Sequence, residues 1–215
     1  MLSDMTGSAS GLVIAFDWLL AFVVVIFALY FRALQLLCVP GLAAPIAAMF
    51  FVMSGSWIIG RLLPAAMPVH LSGACLAVLM FGWPLGVLLS IIAGAVGVAM
   101  TGFTGQEGLV RIVWQAVMPA TFALAIAGAL RRWAPSHVFV YILGRAFIGT
   151  AIATSVAGWL GLVMHAGVGL TQSDLVAQWL MAWGEAFLTG MFAAIFVALR
   201  PSWLVTYSDQ RYLPR

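Results

Sequence analysis

Three histidines punctuate this chain, and two of them stand beside sulfur. His70 lies three residues after Met67 and five before Cys75, and His165 follows Met164. Imidazole suits nickel, cobalt, zinc and copper, while thioether and thiol draw softer ions such as Cu(I). His70 and His165 are therefore candidate metal ligands. The plainer reading of a lone histidine at a helix end is an interfacial polar residue. No His-x-x-x-His, Cys-x-x-Cys or carboxylate–histidine cluster separates the two readings. Cys38 and Cys75 are too isolated to frame a disulfide scaffold or a closed zinc site.

A second chemistry rests on three charges in apolar surroundings, Asp17, Arg145 and Glu185. Each costs a few kcal/mol at the centre of a membrane helix unless it is paired or wetted. Arg145 lies eight residues past His137 and Glu185 eleven past Asp174, so the two approach mid-depth from opposite faces. An Arg145–Glu185 ion pair is the expectation if their helices pack together, either fixing helix register or marking a polar pathway. Catalysis is not expected, because Gly-x-Ser-x-Gly, His-Glu-x-x-His and paired aspartates in facing spans are all missing.

The elements that must position these residues are membrane spans. The 215 residues are 65% hydrophobic and 7% charged, with a mean hydropathy of +1.15. A soluble domain is about a quarter charged, so a water-soluble protein is excluded. From Leu62 to Gln106 there is no Asp, Glu, Lys or Arg. As one helix that stretch would be a rod of about 68 Å, against a bilayer core of about 30 Å. It must turn, most simply at Gly82-Trp83-Pro84. The apolar blocks fall at 11–31, 33–60, 67–82, 84–101, 112–130, 138–164 and 175–199. They predict an all-α polytopic transmembrane bundle of about seven spans, six if the short third is re-entrant, in a single integral membrane domain, 1–215.

The nine basic residues are all arginine. With the C-terminus in the cytoplasm and the N-terminus outside, Arg32, Arg131, Arg132, Arg200, Arg211 and Arg215 fall inside and only Arg61 and Arg111 outside, as the positive-inside rule expects. No basic n-region precedes the first apolar block, so that span reads as uncleaved. The arginines do not cluster into a nucleic-acid-binding face. Gly149, Ala153, Ala157 and Gly161 recur at every fourth position, a spacing that lets helix backbones approach closely in lipid. Packing within the chain is the first reading and a subunit interface the second. Ala43, Ala44, Ala47 and Ala48 offer another such face. Little chain remains for a nucleotide-binding domain, so ATP-driven transport would need another subunit to hydrolyse ATP.

Two blocks carry a resemblance. His70-Leu71-Ser72-Gly73-Ala74-Cys75, followed by Leu79-Met80-Phe81-Gly82-Trp83-Pro84, resembles the cobalt/nickel permease (CbiM/NikM-like) family of energy-coupling-factor ABC transporters. The stretch Gly184-Glu185-Ala186-Phe187-Leu188-Thr189-Gly190, ending at Arg200-Pro201, looks like the Gly-Glu-Gly-x-x-Thr-Gly…Arg-Pro ending of that family. A proteobacterial branch is closer still, through Phe139-Val140-Tyr141-Ile142-Leu143-Gly144 and Asp209-Gln210-Arg211-Tyr212-Leu213. The resemblance runs from about His70 onward, and the first 60 residues match in hydropathy alone.

That resemblance implies a substrate-capturing permease subunit of the bacterial inner membrane. Nickel or cobalt would be its transported substrate rather than a resident cofactor. Its partners would be a transmembrane coupling subunit, ATPase subunits and the lipid bilayer. In such proteins the metal is held by the N-terminal amine, here that of Met1, by a histidine at position two, and by a histidine matching His70. Position two of this chain is Leu2. His70 and an amine are few donors for tight capture unless His165, Met67 or Asp4 completes the shell. The alternative function is a non-transport accessory subunit packed against a larger membrane complex.

Overall fold

A computed structural model describes residues 2–31, 33, 41–62, 71–165, 171–208 and 212, with side chains for all of these except 2–10 and 60–62. Among them there is no strand. The helices are α1 (Leu2–Tyr30), α2 (Ala43–Leu62), α3 (Ala74–Phe81), α4 (Trp83–Thr101), α5 (Gly105–Trp133), α6 (Val140–His165) and α7 (Gln172–Leu199). Five of them (α1 over Gly11–Tyr30, α4, α5, α6 and α7) are long and apolar enough to cross a membrane, and Ala43–Ile59 is a shorter apolar helix. The chain is a multi-pass helical membrane protein.

Close backbone approach sets the helix directions. A Cβ at Gly97 would lie 2.5 Å from the Trp57 Cβ, and earlier in both helices Met49 and Met53 share a cluster with Leu85 and Leu89, so α2 and α4 pack side by side and run parallel. Gly82, at φ +78°, turns the chain between α3 and α4, and Gly86 then packs on the backbone of Ala77 and Val78. Since α2 and α4 are parallel, the chain between them crosses the bundle. Within the third apolar block the described residues are helical only in part. Residues 71–73 are non-helical and α3 has eight residues. The expected helix over 67–82 is corrected over its described part, which is non-helical at 71–73 and helical only from Ala74. Residues 63–70 lie outside the described part.

At the far end of α3, the backbone N–H of Val205 donates to the Met80 carbonyl (2.8 Å) and the Thr206 hydroxyl to that of Leu79 (2.6 Å). The segment after α7 therefore closes on the face where α3 ends. In α1, Val24 and Ala28 share a cluster with Trp83 and Val87 at the start of α4, while Asp17 is 2.8 Å from His165 at the far end of α6, so α1 runs antiparallel to α4. Its N-terminal end is thus on the first face, opposite the end of α7 on the second. Arg131, Arg132 and Arg200 are at the second face.

Two helices loosen into π geometry inside their spans. In α5 the stretch is Val113–Val117, where Met118 N–H donates to the Val113 carbonyl just ahead of Pro119. A proline has no N–H to continue the ladder. In α6 the stretch is Val140–Ile148, closed by Gly149 N–H on the Gly144 carbonyl. Such insertions collect at functional positions, and these carry Trp114 and Gln115 in one case and Tyr141 and Arg145 in the other. The stripe Gly149, Ala153, Ala157 and Gly161 is buried, with Gly161 against the Trp114 side chain and Gly149 near Ile126. It packs within the chain. Ala43, Ala44, Ala47 and Ala48 are exposed.

Candidate functional site at the middle of the bundle

Glu185 stands 13 residues after Gln172 and 14 before Leu199, at the midpoint of α7. It is buried. Its carboxylate accepts the backbone N–H groups of Ser72 and Gly73, with Gly73 N at 2.9 Å from Oε1 and 3.3 Å from Oε2. A helix start leaves N–H donors free and carries positive dipole charge. The broken third span supplies such a start at mid-depth, and the carboxylate closes it. Gly73 adopts φ +66°, and a Cβ there would meet Met49 Cε at 2.9 Å and Met53 Cγ at 3.2 Å. Only glycine gives both the left-handed turn and the clearance. The Ser56 hydroxyl holds the same segment by donating to the Leu71 carbonyl (2.6 Å).

Between Glu185 and the first face runs a series of polar side chains. A narrow recess is lined by Ser72, Gln115, Thr154, Gln178 and Glu185. Gln115 and Gln178 also line a wider recess of about 300 Å³ bounded by Arg111, His165 and Asp174. Gln178 Nε2 donates to the Thr154 carbonyl (3.1 Å), and its amide fills the space beside Gly158. Gln115 Oε1 is buried and has no hydrogen-bond partner among the described residues. An orphaned acceptor of this kind is costly unless a water or ligand satisfies it.

Beside the wider recess lies a buried acid. Asp17 is fully buried, accepting from Trp114 Nε1 at 2.9 Å and facing His165 Nε2 at 2.8 Å. His165 Nδ1 faces the Gly161 carbonyl at 3.0 Å. Both ring nitrogens therefore lie within hydrogen-bonding distance of protein oxygens.

Both ring nitrogens of His165, an expected metal ligand, face protein oxygens here. His70 and Met1 lie outside the described residues. Among the described residues no group of three or more His, Cys, Asp or Glu could hold a metal ion. Cys75 is buried against α5, with Sγ 3.8 Å from the Pro119 carbonyl.

The expected Arg145–Glu185 ion pair does not form. Arg145 is buried with its guanidinium carbon 5.6 Å from the centre of the Tyr141 ring, in a recess shared with Tyr212. Glu185 is instead satisfied by the start of α3. Glu185 is at the midpoint of α7, whereas Arg145 lies near the start of α6, where Phe147 packs on Gly190, so the two charges differ in depth as well as in neighbours. Asp17–His165, Gln115 and Gln178 were not singled out by the sequence as a site. Uncharged amides inside apolar spans were the available signal for the last two. No family model, no curated protein and no solved structure matches this chain.

Proposed function

We propose that this chain is the substrate-capturing permease subunit of an energy-coupling-factor type transporter, taking a divalent transition metal, Ni²⁺ or Co²⁺, from the first face. One observation carries the reading: non-helical backbone at residues 71–73 lies at mid-depth, beneath a polar recess and against a buried carboxylate. Membrane proteins tolerate irregular backbone at that depth where it is buried in protein or lines a cavity. Broken helices at the midplane are a recurrent way of building substrate sites in transporters. A cation entering from the first face would meet the oxygens of Gln115 and Glu185, and His70 directly precedes the non-helical segment in sequence. The arginines at the second face support a cytoplasmic placement for it, which leaves the recess facing outward in a bacterial inner membrane. Energy would come from partner coupling and ATPase subunits.

The test is equilibrium binding of Ni²⁺ and Co²⁺ to the purified chain. Saturable binding near one ion per chain is expected for the wild type and for His137→Ala, with loss in His70→Ala. Affinity should fall in acid, because protonated imidazole cannot ligate. Absence of saturable binding at neutral pH overturns the metal reading and moves the chain to the accessory-subunit function.

A further inference from the structure

The second face holds a separate recess that transport from the first face does not use. It lies between the C-terminal end of α5, the connection through Pro135 and Ser136, and the π stretch of α6, and Arg131, Tyr141, Arg145 and Tyr212 line it. It has about 40 Å³ open to water, against roughly 10–15 Å³ for one water by the same measure. That is space for about three waters or one small oxyanion.

Arg145 is 8% exposed and hydrogen-bonds the Tyr212 side chain, while its Nε and Nη1 have no hydrogen-bond partner among the described residues. The aromatic surroundings hold the group in place. Tyr141 is fixed by its hydroxyl contact with Thr206 (2.9 Å), and the Tyr141 and Tyr212 ring centres are 5.2 Å apart. A ring face offsets part of the desolvation of a guanidinium but does not accept its in-plane N–H groups. A second cation, Arg131, borders the same recess, and among the described residues no carboxylate does. Burying a guanidinium beside another positive charge with open donors is unfavourable unless an anion completes the site.

We infer that this recess binds a phosphate oxyanion, with Arg145 as the buried anchor and Arg131 as the outer cation. Arginine is suited to phosphate because its donors are fixed and its charge is permanent. The phosphate could belong to an anionic lipid headgroup at the membrane surface or to a soluble phosphate from the same side, and both present the same oxygens.

The experiment measures two probes on the detergent-purified full chain. One arm titrates phosphatidylglycerol, with phosphatidylcholine as the zwitterionic control, and counts retained lipid by native mass spectrometry. The other follows the melting temperature in inorganic phosphate against chloride at equal ionic strength. R145Q should weaken binding of the responding probe by about tenfold or more, the loss expected for charge-assisted hydrogen bonds. R131Q, at an exposed position, should give a smaller loss and provides the readout if R145Q does not fold. Selective phosphatidylglycerol retention without a phosphate response assigns the site to a lipid headgroup. A phosphate response that the variants abolish assigns it to a soluble anion. Equal retention of both lipids by wild type and variants, with no phosphate response, overturns the inference.

Discussion

Glu185 and Arg145 are both ionisable side chains buried in the same bundle, and the fold serves them in opposite ways. Glu185 is met by protein: two backbone N–H groups at the start of a half-helix take its carboxylate. Arg145 is met by rings, and two of its nitrogens are left without an acceptor among the described residues. A group completed from within fixes structure, and here it pins a broken span at mid-depth. A group left incomplete is held ready for something else. The difference is testable, because removing Glu185 strands two backbone N–H groups while removing Arg145 gives up a single side-chain contact, with Tyr212.

The largest effect is expected at Glu185. Glu185→Ala leaves the Ser72 and Gly73 N–H groups buried without acceptors, each at a cost of about 1–3 kcal/mol. Glu185→Gln keeps one carbonyl oxygen and should lose less than the alanine variant. Reversible unfolding in mixed micelles would rank the two. Equal losses would mean that the carboxylate position is not set by the start of α3, and the contrast with Arg145 would fail.

How much of this was legible in the sequence follows from what hydropathy can and cannot encode. The apolar blocks and the turn at Gly82 are one-dimensional properties: the structure turns at Gly82, and five of the blocks form helices long and apolar enough to cross a membrane. The break in the third crossing left no mark in apolarity, because non-helical residues 71–73 are as uncharged as the helix that follows them. Azimuth was hidden as well. A π stretch changes the angle between successive side chains, so the face on which Arg145 projects cannot be taken from a regular helical wheel. Asp17 and His165 are separated by almost the whole bundle in sequence. With the N-terminus outside, Asp17 falls in the external part of block 11–31 and His165 just past the external end of block 138–164, and that matching depth was the available signal for their contact.

A buried acid that is satisfied by side chains rather than backbone gives the next effect. Asp17→Asn keeps an acceptor for Trp114 Nε1 but removes the carboxylate that faces His165. The expected loss is about 1–3 kcal/mol, the range for a hydrogen bond to a charged group. Intrinsic fluorescence should also report a changed environment at Trp114. Unchanged stability and emission would mean that this cluster is not closed in the way that the Glu185 site is.

Gly73→Ala tests the turn that presents the N–H groups to Glu185. A left-handed backbone costs an L-residue about 1–2 kcal/mol, and the new methyl would press on Met49 Cε. That atom is the flexible end of a side chain, so the clash is relieved more easily than the backbone strain. Met49→Ala should therefore recover only part of the loss. Full recovery in the double variant, measured by the same unfolding assay, would show that space rather than backbone conformation demands glycine.

The smallest effect belongs to Arg145 and to its coupling with Glu185. Replacing a buried ionic group by an apolar side chain of similar volume is often neutral or stabilising, so Arg145→Met should shift unfolding by less than about 1 kcal/mol when no anion is supplied. Combined with Glu185→Gln, the two losses should add to within about 0.5 kcal/mol, as for sites that share no partner. An ion pair would behave differently, because the second removal would relieve the charge stranded by the first. Coupling well above that limit in the double-mutant cycle would show that the two charges meet in the membrane, in which case Arg145 would not be free to anchor an external anion.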